Sequence, residues 1–250
     1  MPQMISSVQN DLVKHWVKLR HNRDYRYDHM RIIVEGKNVI AELCQSLPSI
    51  TLIASREDLI PPHSGSASVI LVSDAVMSKI TEVPAPEGLV AEVPLPSWTP
   101  LKAQKWIVAL DGISDPGNLG TLLRTALALG WEGVYLLDNC CDPFNDKALR
   151  SAKGATFKIT LNSGNWEKLN QLAKEQELSL YGADVGGAKP NDVDMREGMI
   201  LVLGNEAHGL SATSRKFVKP ITIPMSGLME SLNVGVAGGI LMYLLRHSRE

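Results

Sequence analysis

The feature that most constrains the fold of this chain is a series of short apolar runs, each followed by a helical stretch. Six such runs occur, at residues 106–110, 133–138, 155–161, 178–184, 199–206 and 219–224. Strands that alternate with helices favour an α/β fold, in which a parallel sheet is covered by helices on both faces. In open sheets of this kind the ligand site lies beyond the carboxyl ends of the strands. The loops after these runs are therefore where functional residues are expected.

The chain is predicted to divide once, near residue 100. Five of its 14 prolines fall between residues 84 and 100. Because proline resists both helix and sheet, 84–104 is interpreted as a stiff proline-rich linker. Before it, the pattern predicts strands at 31–35, 49–55 and 67–73 and helices at 36–46 and 74–81. We therefore expect a small α/β domain over 1–83 and a larger one over 105–250.

Composition excludes several classes of protein. With 44% hydrophobic and 21% charged residues the chain is ordinary globular material, and its longest apolar run, 234–245, is too short for a membrane span of about 20 residues. The first residues lack the apolar core of a secretory signal. Three cysteines without a C-x-x-C pair suggest a reduced compartment and no metal site. We expect a cytoplasmic protein, or an organellar one if a transit peptide has been removed.

Other familiar chemistries leave no trace in the sequence. It contains no G-x-x-x-x-G-K-[ST] phosphate loop, no G-x-G-x-x-G after a strand, and neither H-E-x-x-H nor G-x-S-x-G. The six histidines show no spacing typical of metal ligands. Nothing therefore indicates a metal, a redox cofactor or a serine hydrolase.

The first 40 residues are more basic than the rest of the chain. They carry a net charge of +3, whereas the whole chain carries −2. Arg23, Arg26 and Arg31 alternate here with tyrosines and histidines, and such side chains pair with phosphates and stack on unpaired bases. The alternative is a solvated helix end held by salt bridges. Our working hypothesis is that the Arg23–Arg31 segment contacts RNA.

Three loops at strand ends combine unusual residues. In 109–131, Asn118 is predicted to cap a helix whose only charge is Arg124; such an arginine otherwise snorkels into solvent or pairs with a carboxylate. In 201–211, Gly204 permits a close backbone approach or a strained turn, and Glu206 could serve as a helix cap. In 221–246, Ser231 or Asn233 begins a helix that contains three glycines. These glycines indicate tight helix packing, a subunit interface or ligand approach.

Taken together and in this order, DPGNLGTLLRTALALG, LVLGNEAHGLS and IPMSGLMESLNVGVAGGIL resemble the three motifs of the SpoU family of RNA ribose 2′-O-methyltransferases, in the SPOUT superfamily. The resemblance covers residues 106–246. The segment RIIVEGKNVIAEL also resembles the small substrate-binding domain, similar to ribosomal protein L30e, that many members carry. The resemblance implies a C-terminal trefoil knot, a homodimer formed through the knotted domain, and S-adenosylmethionine as methyl donor.

The resemblance also implies roles for individual residues. Arg124 corresponds to the arginine that binds the RNA phosphate and helps activate the ribose hydroxyl. Because a guanidinium is too basic to accept a proton readily, electrostatic stabilisation is favoured over proton abstraction. Asn118 would orient the arginine or the substrate. The other positions implied are Glu206, Ser231 and Asn233 in the catalytic pocket, and Gly204, Asn205, Ile223, Met225 and Leu232 around the adenosyl group. No role is implied for His208.

The resemblance leaves the RNA open, although the appended N-terminal domain favours rRNA over tRNA. One alternative is a non-catalytic RNA-binding or ribosome-assembly protein that retains the fold, which five intact site residues argue against. Another is a knotted enzyme that methylates a base nitrogen, which the arginine of the first motif and the SLNV segment disfavour.

Overall fold

The computed structural model describes residues 4–65, 67–83, 85–193 and 198–247 of the chain. Residue contacts divide it into two units. The first contains Met1–Pro96 and Phe144–Gly154, and the second contains Ser97–Pro143 and Ala155–Glu250. A short segment from the middle of the second unit's sequence therefore belongs to the first. None of the helices that the structure describes is long and apolar enough to cross a membrane.

The first unit is built on a mixed four-stranded sheet in the order β1-β4-β2-β3. Strand β4 is antiparallel to β1 and β2, whereas β2 and β3 are parallel. Its elements in chain order are α1 (Asp11–His21), α2 (Arg23–His29), β1 (Arg31–Glu35), α3 (Lys37–Ser46), β2 (Thr51–Ala54), β3 (Ser68–Leu71), α4 (Asp74–Thr81) and β4 (Leu89–Pro94). Trp16 and Leu19 of α1 pack with Ile33, Ile53 and Met77 in its core.

The predicted linker needs correction, because β4 lies inside it. Residues 84–104 were expected to resist sheet formation, yet Leu89–Pro94 forms a central strand of the first sheet. Val90, Ala91 and Val93 are buried there. The prolines do not prevent this, since Pro94 ends the strand and Pro96 and Pro100 lie outside it. Pro84 lies outside the described residues. The strand predicted at 31–35 forms over that whole range, and the strands predicted at 49–55 and 67–73 form over shorter ones.

The remaining elements alternate strands with helices. In chain order they are β5 (Trp106–Asp111), α5 (Pro116–Ala128), β6 (Gly133–Leu137), α6 (Asp146–Ala152), β7 (Thr160–Gly164), α7 (Trp166–Glu175), β8 (Ser179–Ala188), β9 (Met199–Gly204), α8 (Ser214–Phe217), β10 (Lys219–Ile221) and α9 (Val234–His247). Helix α6 belongs to the first unit. The six strands form one sheet in the order β10-β8-β9-β5-β6-β7. Every pairing in it is parallel, so the predicted α/β fold is confirmed.

One predicted strand begins later than the sequence suggested. Residues 155–157 form a single 3-10 turn, and β7 starts only at Thr160. Ala155 and Ile159 are nevertheless buried. An apolar run indicates burial more directly than it indicates a strand, and here the burial arises from a turn.

The centre of the sheet brings two of the unusual loops together. Strands β5 and β9 pair along their whole length, from Trp106 opposite Met199 to Asp111 opposite Gly204. Both strands are buried almost throughout. Their carboxyl ends therefore lie side by side, and the loops after Asp111 and after Gly204 start from neighbouring points.

Candidate active site

Asp111 connects the end of β5 to the loop that follows β9. Its carboxylate accepts a hydrogen bond from the Ser211 backbone N–H at 3.0 Å and another from the Ser214 hydroxyl. Both Asp111 and Ser214 are buried. A buried carboxylate requires such partners, so the contact holds the loop in one position. Sequence reasoning missed both serines, because the chain places them about 100 residues away from their partner.

The loop after β9 closes tightly on itself. Asn205 and Gly209 exchange two backbone hydrogen bonds of 2.9 Å each. A Cβ atom on Gly204 would lie 2.3 Å from the Gly209 carbonyl carbon, so only glycine fits there. The Asn205 side chain donates to the Gly112 carbonyl at 2.7 Å and accepts from the Ala207 N–H at 2.9 Å. The close approach expected at Gly204 is thus between two segments of backbone.

Glu206 holds the loop of the first motif. Its carboxylate accepts hydrogen bonds from the Ser114 hydroxyl at 3.0 Å, from the backbone N–H groups of Ser114 and Asp115 at 3.2 and 3.1 Å, and from the Asn118 side chain at 3.1 Å. The acidic side chain therefore binds the start of α5, and the alternative in which it caps the helix after its own loop is not what the structure shows.

Two helix caps differ in how well the sequence predicted them. Helix α5 is capped by Asp115, which accepts from the Asn118 N–H at 2.9 Å, with Pro116 as the first helical residue. The prediction that Asn118 is the cap was therefore wrong, and its side chain is left available to neighbouring loops. Asn233 does cap α9, accepting from the Gly235 N–H at 2.9 Å.

A chain of side chains joins all three motif loops. Asn118 donates to Glu206 and accepts from the Asn233 amide at 3.1 Å. Because Asn233 is fixed by its own capping bonds, the orientation of the Asn118 amide is set from both sides. Three residues from distant parts of the sequence thus form one hydrogen-bonded group.

The ionisation of Glu206 follows from these contacts. Partial burial acts to raise the pKa of the carboxyl, but the hydrogen bonds from Asn118 and from backbone N–H groups outweigh it and hold the pKa below its usual value. Glu206 is therefore a fixed negative charge at neutral pH. A carboxylate of this kind serves as an acceptor and not as a proton donor.

A cleft of about 230 Å³ opens beside this group. It is lined by all five positions that resemblance placed near an adenosyl group, namely Gly204, Asn205, Ile223, Met225 and Leu232. Its charged side chains are three acids, Asp184, Glu206 and Glu230, and no basic side chain of the described residues lines it. An apolar wall with only acidic groups suits a ligand that combines a flat apolar part with positive charge.

Arg124 stands apart from the hydrogen-bonded group. It lies about 9 Å along α5 from Asn118 and about 120° around the helix. Its side chain is exposed and forms no hydrogen bond or salt bridge with any residue that the structure describes. Of the two alternatives considered for it, pairing with a carboxylate is absent among the described residues, and an exposed side chain is what snorkelling into solvent would give. Ser231 lines the cleft, and His208 is exposed.

Two cysteines lie close to the same strand ends. The Cys140 thiol donates to the Leu110 carbonyl at 3.1 Å. Burial raises the pKa of Cys140 to about 11 and that of Cys141 to about 12. Both remain protonated at neutral pH, so neither is suited to act as a nucleophile.

The N-terminal arginines have three different environments. Arg26 is buried, and its guanidinium donates to the carbonyls of Leu19 and Arg20 at 2.9 Å each, near the end of α1. Its predicted contact with RNA is corrected, because this side chain is not accessible. Arg31 is half-buried and binds Glu92 at 2.8 Å, whereas Arg23 is exposed.

Family models match most of the chain. Residues 105–243 match the SpoU rRNA methylase family, and residues 10–91 match the MRM3-like substrate binding domain. Within the described residues, no three His, Cys, Asp or Glu side chains are grouped as a metal ion would require.

Individual relatives agree with these models. The chain is 34% identical over 250 residues to the 23S rRNA (guanosine(2553)-2′-O)-methyltransferase RlmP of Bacillus subtilis, covering 98% of this chain and 99% of the relative. The structure resembles an AdoMet-bound rRNA methyltransferase from Sinorhizobium meliloti, with a TM-score of 0.88, 26% identity, and coverage of 99% and 98% of the two chains.

The SpoU methyltransferase AviRb from Streptomyces viridochromogenes, at 23% identity, shares the fold with a TM-score of 0.85 over 96% of this chain and 98% of its own. Since a family model matches more than half of the sequence and a relative matches nearly all of it, the chain belongs to the SpoU rRNA methylase family.

Proposed function

We propose that this chain transfers a methyl group from S-adenosylmethionine to a ribose 2′-hydroxyl of ribosomal RNA. The observation that carries the proposal is the hydrogen-bonded group of Glu206, Asn118 and Asn233, which joins three loops beside a cleft. The full-length relative that methylates a 23S rRNA ribose supports rRNA over tRNA. The exposed Arg124 adds a cation without a partner among the described side chains.

The cleft has the properties that the methyl donor requires. Its walls are mainly backbone and apolar side chains of 203–205, 221–223 and 232, which suit an adenosyl group. Two carboxylates, of Glu206 and Glu230, offer negative charge to a cationic ligand, whereas the carboxylate of Asp184 is paired with Arg215. S-adenosylmethionine supplies an electrophilic methyl group on a positively charged sulfur. We assign Gly204, Asn205, Ile223, Met225 and Leu232 to its binding.

The chain's own residues would act mainly by positioning and charge. A 2′-hydroxyl is a weak nucleophile, and holding it in line with the methyl group contributes up to about 7–11 kcal/mol. We assign Arg124 to the RNA phosphate and to stabilising the oxygen as it loses its proton, since a guanidinium donates and does not accept. Glu206 and Asn233 keep Asn118 oriented from its two sides, and Ser231 lines the cleft.

The two domains of the chain would have different functions. We assign RNA binding to the N-terminal domain, first placed at 1–83 and here extended to include β4, and methyl transfer to 105–250. The proposal includes the trefoil knot and the homodimer that the family resemblance implies. Exposed apolar side chains on α9, Val236 and Tyr243, support a partner surface. It also places the enzyme where ribosomes are assembled, in the cytoplasm or an organelle.

The test is methyl transfer from tritiated S-adenosylmethionine to RNA from cells that lack this protein. The RNA is separated afterwards into large rRNA, small rRNA and tRNA. We expect label in an rRNA fraction, recovered as a dinucleotide that resists alkali because its 2′-oxygen is blocked. Label in the tRNA fraction would mean that the substrate is tRNA and not rRNA. Label in alkali-sensitive nucleotides would indicate base methylation. No label, with donor binding confirmed by calorimetry, would support a non-catalytic RNA-binding protein.

A further inference from the structure

A second cleft, of about 630 Å³, lies wholly within the first unit. It is lined by His15 of α1, His29 of α2 and Arg31 at the start of β1, and by three residues with hydroxyl groups, Ser49, Thr51 and Ser68. Thr51 is in register with Glu92 on one neighbouring strand and with Ser68 on the other. Thr51, Ser68 and Glu92 therefore form a row across the sheet.

The charge at the bottom of this cleft is already compensated. The Glu92 carboxylate accepts from the Trp16 indole N–H at 3.0 Å and from the Arg31 Nε–H at 2.8 Å, and His15 Nε2 lies 3.7 Å away. Arg31 also donates to the Glu92 carbonyl at 3.2 Å. Because Arg31 is engaged with a carboxylate, the cleft lacks the uncommitted cations of a phosphate site. Its chemistry is that of a polar pocket with nearly balanced charge.

The His29 ring, which lines the cleft, is stacked on a second ring. Tyr25 and His29 are stacked with their centroids 3.9 Å apart and their planes at 28°. The His29 Nδ1–H donates to the Tyr25 carbonyl at 3.0 Å, which fixes the imidazole plane. The Tyr25 hydroxyl lies 2.9 Å from His15 Nδ1, so the tyrosine ring is also held in place. His29 itself is exposed, and it presents an immobilised ring to solvent.

Ser49, which also lines the cleft, has a left-handed backbone conformation, with a φ of +58°. Five other described residues besides glycine have a φ between +50° and +71°, so the conformation alone does not mark a functional position. Here the conformation places an exposed serine at the rim of the cleft.

We propose that this cleft binds one unpaired nucleotide of the RNA, with its base stacked on His29 and its polar edges at the hydroxyls of Ser49, Thr51 and Ser68. Unpaired bases are recognised by stacking on aromatic rings, histidine included, and by hydrogen bonds to their edges. The inference rests on the proposed function, and it identifies single-stranded RNA as what the N-terminal domain recognises. It also accounts for the tyrosines and histidines among the basic residues, which methyl transfer alone does not require.

The test compares His29→Ala with His29→Phe and with the matched control His63→Ala, an exposed histidine of the same unit outside the cleft. The probe is a fluorescein-labelled single-stranded RNA of about a dozen nucleotides, and its duplex form serves as the second ligand. We expect His29→Ala to weaken single-strand binding about tenfold, which is within the range for loss of one stacked base. His29→Phe and His63→Ala should stay within about threefold of the unaltered chain.

Two further measurements separate stacking from other causes. The slope of log affinity against log salt should be unchanged in His29→Ala, since no phosphate contact is removed. With rRNA as substrate, KM should rise while kcat stays the same. Thr51→Val, which keeps the side-chain shape and removes the hydroxyl, should also weaken single-strand binding. This variant remains informative if His29→Ala fails to fold.

Clear outcomes would overturn the inference. It fails if His29→Ala binds the single strand as tightly as His63→Ala does, or if His29→Phe loses as much affinity as His29→Ala. The proposed function can fail separately: no methyl transfer to any RNA fraction, together with His29-dependent binding of the single strand, would leave the cleft assignment standing. Normal rRNA methylation with binding insensitive to His29 and Thr51 would reject the cleft alone.

Discussion

Arg124 is the single charged side chain of α5, a helix that is otherwise apolar or uncharged. A lone arginine in such a helix usually extends its charged end into solvent along its apolar stem, or it pairs with a carboxylate. This side chain is exposed and has no carboxylate partner among the described residues. Its charge is therefore available to an anionic substrate.

Replacing Arg124 by alanine should therefore nearly abolish methyl transfer. Its rate should fall by about a hundredfold or more if the change removes one stabilising donor at the reacting oxygen. Affinity for S-adenosylmethionine should be nearly unchanged in calorimetry, because Arg124 does not line the cleft. Arg124→Lys should recover part of the rate, since it keeps the charge but loses the planar fork. Lys102→Ala, an exposed cation of the same unit, is the control. Full activity in Arg124→Ala would remove the assigned role.

Glu206 should make stability depend on pH in a defined direction. Its pKa is lower in the folded chain than in the unfolded one, so the ionised carboxylate stabilises the fold above about pH 4. That stabilisation is lost as the pH falls through the folded pKa. Because the side chain is exposed, we expect the effect to be at most about 1 kcal/mol.

Glu206→Gln should accordingly lower the urea midpoint of the second unit at pH 7. On acidification, the variant should lose less stability than the unaltered chain does. The gap between the two proteins should close as the pH falls through the folded pKa of Glu206, below which both side chains are uncharged. A gap that stays the same size throughout the acid range would mean that the charge of Glu206 contributes nothing to stability.

At the scale of elements, the packing of α5 against α9 depends on the glycines of α9. A Cβ on Gly238 would lie 2.6 Å from Leu122 Cδ2 and 2.7 Å from Leu203 Cδ1. Both leucines are buried. A Cβ on the next residue, Gly239, would meet Thr125 Cγ2 at an ordinary 3.6 Å. Of the three reasons considered for these glycines, tight helix packing is the one visible at Gly238.

The two positions form a matched pair for measurement. Alanine is favoured over glycine inside a helix by about 0.5–1 kcal/mol, so Gly239→Ala should raise the melting temperature. Gly238→Ala should lower the melting temperature, with a net loss of about 1–2 kcal/mol in the free energy of unfolding. Overpacking a close contact costs more than the helix preference of alanine returns. Equal shifts in the two variants would show that the helix contact tolerates an added methyl group at Gly238.

The sequence predicted the elements better than it predicted their contacts. The six-run pattern was enough to indicate the parallel sheet, since hydrophobic periodicity reports burial. Strand β4 was missed because prolines flank it, although they stand where no ladder bond is needed. The contacts of Asp111 with Ser214 and of Arg26 with carbonyls of α1 could not be foreseen, since they join residues through space. The motif resemblance, by contrast, assigned Asn118, Glu206 and Asn233 to one pocket, and their side chains are joined by hydrogen bonds.

For the whole molecule, we expect a dimer in solution. Val236 and Tyr243 are 52% and 56% exposed and occur seven residues apart on α9, so they share one face. Light scattering should give twice the mass of one chain. Val236→Lys should shift this toward the monomer, whereas Val69→Lys, at a comparably exposed valine of the first unit, should not. A monomer in the unaltered protein at micromolar concentration would contradict the expectation.

The short segment Phe144–Gly154 belongs to the first unit although it interrupts the second. It therefore constrains the order in which the units can fold during synthesis. Domains usually fold from the N-terminus while the ribosome is still extending the chain. Here Arg20 can pair with Asp146, its partner at 2.8 Å, only after residue 146 has been synthesised, and Glu35 can pair with Arg150 only after residue 150 has been. By then β5, α5 and β6 have already been made, so the first unit cannot be completed before part of the second has emerged. A stop codon placed between the two halves would therefore release an N-terminal fragment that lacks one of its own helices.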